Sequence, residues 1–326
     1  MSANANVIVS KAFIWRRVHS LFGLMIVFYL VEHLTVNSQA ALWLGDDGRG
    51  FIKLVNLIHN LPFLQVLEVM LIGIPILFHA ALGIKYALTS RNNSMGCKKD
   101  KPVLSHGRNV AFSWQRITSW ILIVGIFGHV VQMRFLDSPK KAVLNNEKQY
   151  LVKLNFDKGL YALSDRLSVE LFNKEKINFL NDNFKSVGKE GKWTSAASIP
   201  YNVSAEIEAT KRQSLTQEKS FIDVLNTYKI NQTQVVAVSK NAGTAFLLMV
   251  RNTFKSPIWA ILYTIFVIAA IFHGFNGLWT ALITWGIILS YRSQKMMVNF
   301  AILLMLALGF LGLASIWGTY FINLRS

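Results

Sequence analysis

Residues 27–44 read VFYLVEHLTVNSQAALWL. Glu32 and His33 stand side by side near the end of an apolar run that begins at residue 13 and is long enough to cross a membrane. Ionisable groups are costly at membrane depth and mark functional positions there, so His33 needs a partner or a task.

The run around His33 has four companions. Segments 13–37, 62–89, 112–136, 257–289 and 297–322 each offer the roughly 20 apolar residues that span about 30 Å of hydrocarbon. The 326-residue chain is 52 % hydrophobic, with a mean hydropathy of +0.36. The expected fold class is therefore all-α: a five-helix transmembrane bundle, helices 1–3 within 1–136 and helices 4–5 within 257–326. The first run follows Arg16-Arg17 and resembles a secretion signal, but its length and the embedded Glu32 and His33 favour an uncleaved helix.

The net charge of +17 invites a nucleic-acid reading, which its distribution opposes. Lys11, Arg16 and Arg17 precede the first run. Arg91, Lys98, Lys99, Lys101, Arg108 and Arg116 follow the second, and Arg292 and Lys295 follow the fourth. Basic residues clustered in alternate loops are the mark of cytoplasmic segments. The amino terminus is expected inside, the carboxyl terminus outside, and no nucleic acid is implied. Cys97 is the single cysteine, so the chain makes no internal disulfide, cysteine cluster site or C-x-x-C-H haem attachment.

Segment 137–256 is different in kind. It is polar, carries eighteen Lys and Arg against twelve Asp and Glu, and is expected outside the membrane as an insertion of unknown role. Short apolar patches, LYALSDRLSVELF at 160–172 and FIDVLNTYKI at 221–230, suggest helices and a strand. GTAFLLMV at 243–250 is too short to span and reads as an interfacial helix leading to Pro257.

Of the seven histidines, His33, His79, His129 and His273 fall in four different spans. A single buried histidine is commonly satisfied by a neighbouring helix; four, one per helix, call for a joint explanation. Helices 1 and 3 run outward, placing His33 and His129 about 6–10 Å below the outer boundary at 1.5 Å per residue. Helices 2 and 4 run inward, placing His79 and His273 nearer mid-membrane or the inner half, roughly 10 Å or more from the first pair. Two imidazoles from facing helices suit a six-coordinate haem iron that carries electrons rather than binding oxygen. Zinc would gather about four ligands at one point, which two separated pairs do not. His33, His79, His129 and His273 are thus expected as iron ligands of two haems. Arg17, His19, Ser20 and Arg116 are candidates to hold the propionates of the inner one.

These residues lie in stretches with a familiar pattern. RRVHSLFGLMIVFYLVEHLTVN (16–37), LPFLQVLEVMLIGIPILFHAALGIKYAL (61–88), WQRITSWILIVGIFGHVV (114–131) and IFHGFNGLWTALITWGI (271–287) resemble the di-haem cytochrome b membrane anchors of succinate:quinone oxidoreductases, of the five-helix, single-polypeptide type. The resemblance covers about 10–136 and 257–322 and not 137–256. It implies that His79 and His273 bind the haem facing the cytoplasmic subunits, and that His33 and His129 bind the distal haem. It also implies a role in succinate dehydrogenase of the tricarboxylic acid cycle, in a bacterial cytoplasmic membrane. The partners would be a flavoprotein with FAD and an iron–sulfur subunit, neither of whose chemistries is encoded in this chain, with a quinone, menaquinone, as electron acceptor in the lipid.

Quinone reduction takes up protons, and Glu32 and Glu68 are the carboxylates inside the spans, which makes both candidates for proton exchange. The same architecture could serve a fumarate reductase running in reverse, another di-haem cytochrome, or a proton-coupled transporter. The transporter reading lacks the inverted repeat and the pair of Gly/Pro-broken helices such folds display; Pro75 is a single kink candidate.

Overall fold

The structure, a computed structural model, describes residues 10–42, 46–89, 107–189 and 201–325. The basic loop 91–106, with Cys97 and His106, lies outside them. Among the described residues, five helices are long and apolar enough to cross a membrane: Lys11–Ser38, Leu64–Thr89, Asn109–Leu136, Pro257–Thr284 and Tyr291–Leu324. They match the five apolar runs to within a few residues, because the length of the run and the turn residues at its ends leave little choice. The chain is a multi-pass helical membrane protein.

Two compact units form. The first comprises 1–38, 60–129 and 258–317 and holds the spans. Its first helix packs on the second and the fifth. Large side chains such as Phe28, Leu77, Phe127, Ile268 and Leu306 face outward, as a lipid-contacting surface requires. Among the described residues, three of the spans contain a π-helical turn, at Val69–Gly73, Val131–Leu136 and Ala314–Gly318. The first has a visible cause. Pro75 is fully buried, and its ring both lacks an N–H and crowds the carbonyl one turn back, so the helix widens just before it.

The second unit comprises 39–59, 130–257 and 318–326. It contains a four-stranded antiparallel sheet that the sequence patterns signal only faintly: β1 (Lys140–Leu144), β2 (Glu147–Asn155), β3 (Glu170–Phe172) and β4 (Gln234–Ser239), in spatial order β1-β2-β4-β3. Asn145 and Asn146, both at positive φ, make the two-residue turn joining β1 to β2. Asparagine tolerates that conformation, whose twist matches the flanking strands. One sheet face, with Leu151, Val236 and Val238, packs against Ile177, Phe221 and Leu225 from helices Lys174–Lys189 and Tyr201–Asn226. Tyr228 donates its hydroxyl to the Leu151 carbonyl at 2.7 Å, and burial pushes its pKa up to about 12.

The opposite sheet face is covered by helix Ala242–Thr253. This corrects the reading of GTAFLLMV as an interfacial helix. Ala245, Leu247, Leu248 and Val250 are all buried, so the apolar run serves a soluble-type core. Asn241 caps it by accepting from Thr244 N at 2.9 Å. Helix Arg49–His59 lies against it, and Gly243 permits the approach: a Cβ there would collide with the Ile52 backbone. Gly243 N donates to Asn56 Oδ1 at 2.7 Å across the same contact.

Candidate haem-binding sites

The first unit brings the four span histidines together as two pairs. The ring centroids of His33 and His129 are 5.8 Å apart, with planes at 83°. Those of His79 and His273 are 6.2 Å apart, at 85°. The pairs form separate layers. His19 stacks on His79 at 4.0 Å, and His33 lies fourteen residues further along the same helix, about 21 Å at 1.5 Å per residue. On the fourth span, Tyr263 beside His129 and His273 itself are ten residues apart, about 15 Å.

Each of the four imidazoles has its Nδ1 occupied. His79 Nδ1 is 2.9 Å from the His19 carbonyl oxygen, and His273 Nδ1 is 3.2 Å from that of Gln115. His33 Nδ1 is 3.1 Å from the Tyr29 hydroxyl, and His129 Nδ1 is 3.2 Å from the Tyr263 hydroxyl. Backbone carbonyls only accept, so Nδ1 of His79 and His273 must carry the proton and Nε2 the lone pair. A hydroxyl can play either part, so Tyr263 can accept from His129 Nδ1–H, while His33 Nδ1 also faces the donating Asn37 Nδ2 at 3.5 Å. This arrangement of an oriented imidazole with a free Nε2 is the one metal-bound histidines show.

The ring separation within each pair also suits a metal ion shared by two imidazoles. Two imidazoles sharing one metal ion would stand about 6 Å apart, centre to centre. Among the described residues no group of three or more His, Cys, Asp or Glu side chains converges as a zinc site would need. Gly23 adds a cradle: a Cβ there would lie 2.9 Å from His79 Cε1 and 3.2 Å from its Nδ1. The residues present therefore fit two bis-histidine haems.

Gln115 anchors the His79–His273 layer further. Its side-chain nitrogen donates to the His273 carbonyl at 3.0 Å, and its Oε1 accepts from Asn276 at 2.7 Å. Asn276, in the NGLW stretch, in turn accepts from Trp279 Nε1 at 3.0 Å. The sequence reading passed over Tyr29, Tyr263 and Gln115. Tyrosine and glutamine in a span carry no signal of their own, and only the spatial pairing with a histidine singles them out.

The four propionate candidates share no single contact. The Arg17 guanidinium sits 3.5 Å over the Phe13 ring, Arg116 donates to the Ala87 carbonyl at 2.9 Å, and Ser20 Oγ accepts from Trp285 Nε1 at 3.3 Å. His19 lies flat on His79, with Tyr86 edge-on at 5.4 Å. Glu68 is half-buried immediately before the first π turn, and Glu32 is exposed on the bundle surface.

Fold and site define the class: a five-span helical membrane protein that brings two edge-on histidine pairs together at separate levels of the spans. The chain is 23 % identical over 309 residues to the succinate dehydrogenase cytochrome b558 subunit of Bacillus subtilis (strain 168), which covers 94 % of this chain and 97 % of that protein. That likeness supports the resemblance to a cytochrome b anchor subunit, at modest identity and from the first spans to the last. No family model matches the chain, and no solved structure matches it at a significant level.

Proposed function

We propose that this chain is the membrane-anchoring cytochrome b subunit of a succinate dehydrogenase, with its amino terminus in the bacterial cytoplasm and its insertion outside. The single observation carrying the reading is that all four span histidines, in two facing pairs, have Nδ1 hydrogen-bonded and Nε2 left over.

His79 and His273 would hold the inner haem b, and His33 and His129 the outer one. When bound, two such haems supply one-electron transfer between a partner iron–sulfur subunit and menaquinone. The chain's own residues do the rest. The carbonyls of His19 and Gln115, and the hydroxyls of Tyr29 and Tyr263, fix the imidazole tautomers and ring orientations. Arg17, His19, Ser20 and Arg116 offer cationic and hydroxyl partners for inner propionates. The long apolar spans keep water from the histidine layers.

Quinone reduction consumes two protons with two electrons. Glu68, just before the first π turn, and Glu32, one residue from His33, would hold and release a proton near the outer pair. The succinate-oxidising flavoprotein with FAD, and the iron–sulfur subunit, would be separate chains on the cytoplasmic side.

Purification from membranes tests the reading. A b-type reduced-minus-oxidised spectrum, with a flavoprotein and an iron–sulfur protein co-purifying, is expected; an absorbance-silent protein that purifies alone would overturn it.

A further inference from the structure

The second unit contains a cavity of about 370 Å³, within the ~300–1,000 Å³ typical of small-molecule sites. Leu154, Leu160, Leu163, Leu248 and Ile322 form its apolar wall. Asp47, Asp157, Arg166, Arg251 and Lys255 supply the charge.

Four of those five are matched in pairs. Arg166 Nε donates to Asp47 Oδ2 at 2.8 Å, and Lys255 Nζ pairs with Asp157. The fifth is Arg251, on helix Ala242–Thr253. It is only 8 % exposed, and its Nε is buried with no hydrogen-bond partner. Asp47 acts on it electrostatically, but that one carboxylate already serves Arg166, so it faces two guanidiniums. Burial lowers the Arg251 pKa, yet a guanidinium does not lose its proton in a protein. The charge has to be met by something else. Asn323 fixes the place of the residue by donating to the Arg251 carbonyl at 2.8 Å, and Arg251 lines the cavity.

We propose that this cavity binds an amphiphilic monoanion, its carboxylate or phosphate head on Arg251 and a short apolar chain along the leucine wall. A guanidinium presents parallel N–H donors that match such an oxyanion, and burial strengthens the pairing. The ion pairs of Asp47 and Asp157 at the same cavity disfavour a cation. The volume admits a head and a short chain, which a free organic acid or the anionic end of a lipid can both supply. This site is independent of the histidine layers.

The test uses the full-length protein in phosphatidylcholine nanodiscs and a medium-chain carboxylate bearing a photoreactive diazirine. Saturable cross-linking to peptides containing Leu160, Leu163 or Leu248 is expected, competed by hexanoate and not by hexylamine. Arg251→Gln should weaken labelling at least tenfold, and Arg251→Lys less, with the haem spectrum unchanged in both. Competition by phosphatidylglycerol doped into the nanodiscs identifies a lipid source; competition by hexanoate alone identifies a soluble acid. Labelling that does not saturate, maps elsewhere, yields equally to hexylamine, or survives Arg251→Gln in a folded protein overturns the proposal. Should Arg251→Gln not fold, the labelling map and the competition on the unaltered protein decide.

Discussion

Gly23 lies against the Cε1–Nδ1 side of the His79 imidazole, so close that a methyl group in place of its hydrogen would fall 2.9 Å from Cε1. One helix thus leaves room for the ring that its neighbour supplies, and the small residue acts on the histidine pair without contacting any iron. Gly23→Ala should tilt His79 away from His273. Displaced ligand orientation commonly costs ~10–100-fold in metal affinity. The inner haem should be depleted in the low-temperature reduced-minus-oxidised spectrum while the outer haem remains. Full retention of both bands would show that the glycine is there for helix packing alone.

Tyr263→Phe removes the hydroxyl that holds His129 Nδ1 at 3.2 Å. An imidazole whose Nδ1–H is no longer accepted donates less electron density to a metal at Nε2. The outer haem should stay bound and titrate at a higher midpoint potential, with the inner haem unmoved. Redox potentiometry checks this, and an unshifted outer potential would remove Tyr263 from its positioning role.

Glu68→Gln keeps the size of the side chain and removes its exchangeable carboxyl proton. Positioned proton transfer contributes on the order of 10²–10⁴-fold to a reaction that needs it. Succinate-to-quinone turnover of the assembled complex should fall at least tenfold, while both haem spectra and succinate oxidation with an artificial acceptor persist. The same measurement on Glu32→Gln separates the two carboxylates, and undiminished turnover would clear whichever is tested.

Gly243→Ala inserts a methyl group into the contact between helices Ala242–Thr253 and Arg49–His59, where the Ile52 backbone leaves no space. Overpacking of this kind costs about 1–3 kcal/mol. Thermal unfolding followed by the accessibility of second-unit amides should shift downward, with haem content unchanged. A neutral outcome would mean that the two helices separate freely.

Much of the membrane half was legible because hydrocarbon is an unforgiving solvent. Five apolar runs could only be five spans, and four histidines in four spans could be sorted into layers from helix direction and rise alone. What orients those histidines was not legible. Tyr29, Tyr263, Gln115 and two main-chain carbonyls find their imidazoles through rotation and tilt of helices, which residue order does not encode. In the second unit the asparagine pair at 145–146 was a hairpin signal that the surrounding lysines obscured. GTAFLLMV misled for a physical reason: a helix apolar on every side looks the same whether protein or lipid covers it.

The most direct measurement is the number of haems per chain, by pyridine haemochrome and protein assay, on the unaltered protein and on each single histidine-to-alanine variant. Two per chain is the predicted value, falling to one in every variant, with His79→Ala and His273→Ala losing the same band and His33→Ala and His129→Ala losing the other. A single haem in the unaltered protein, none at all, or variants of one pair that lose different bands would contradict the account.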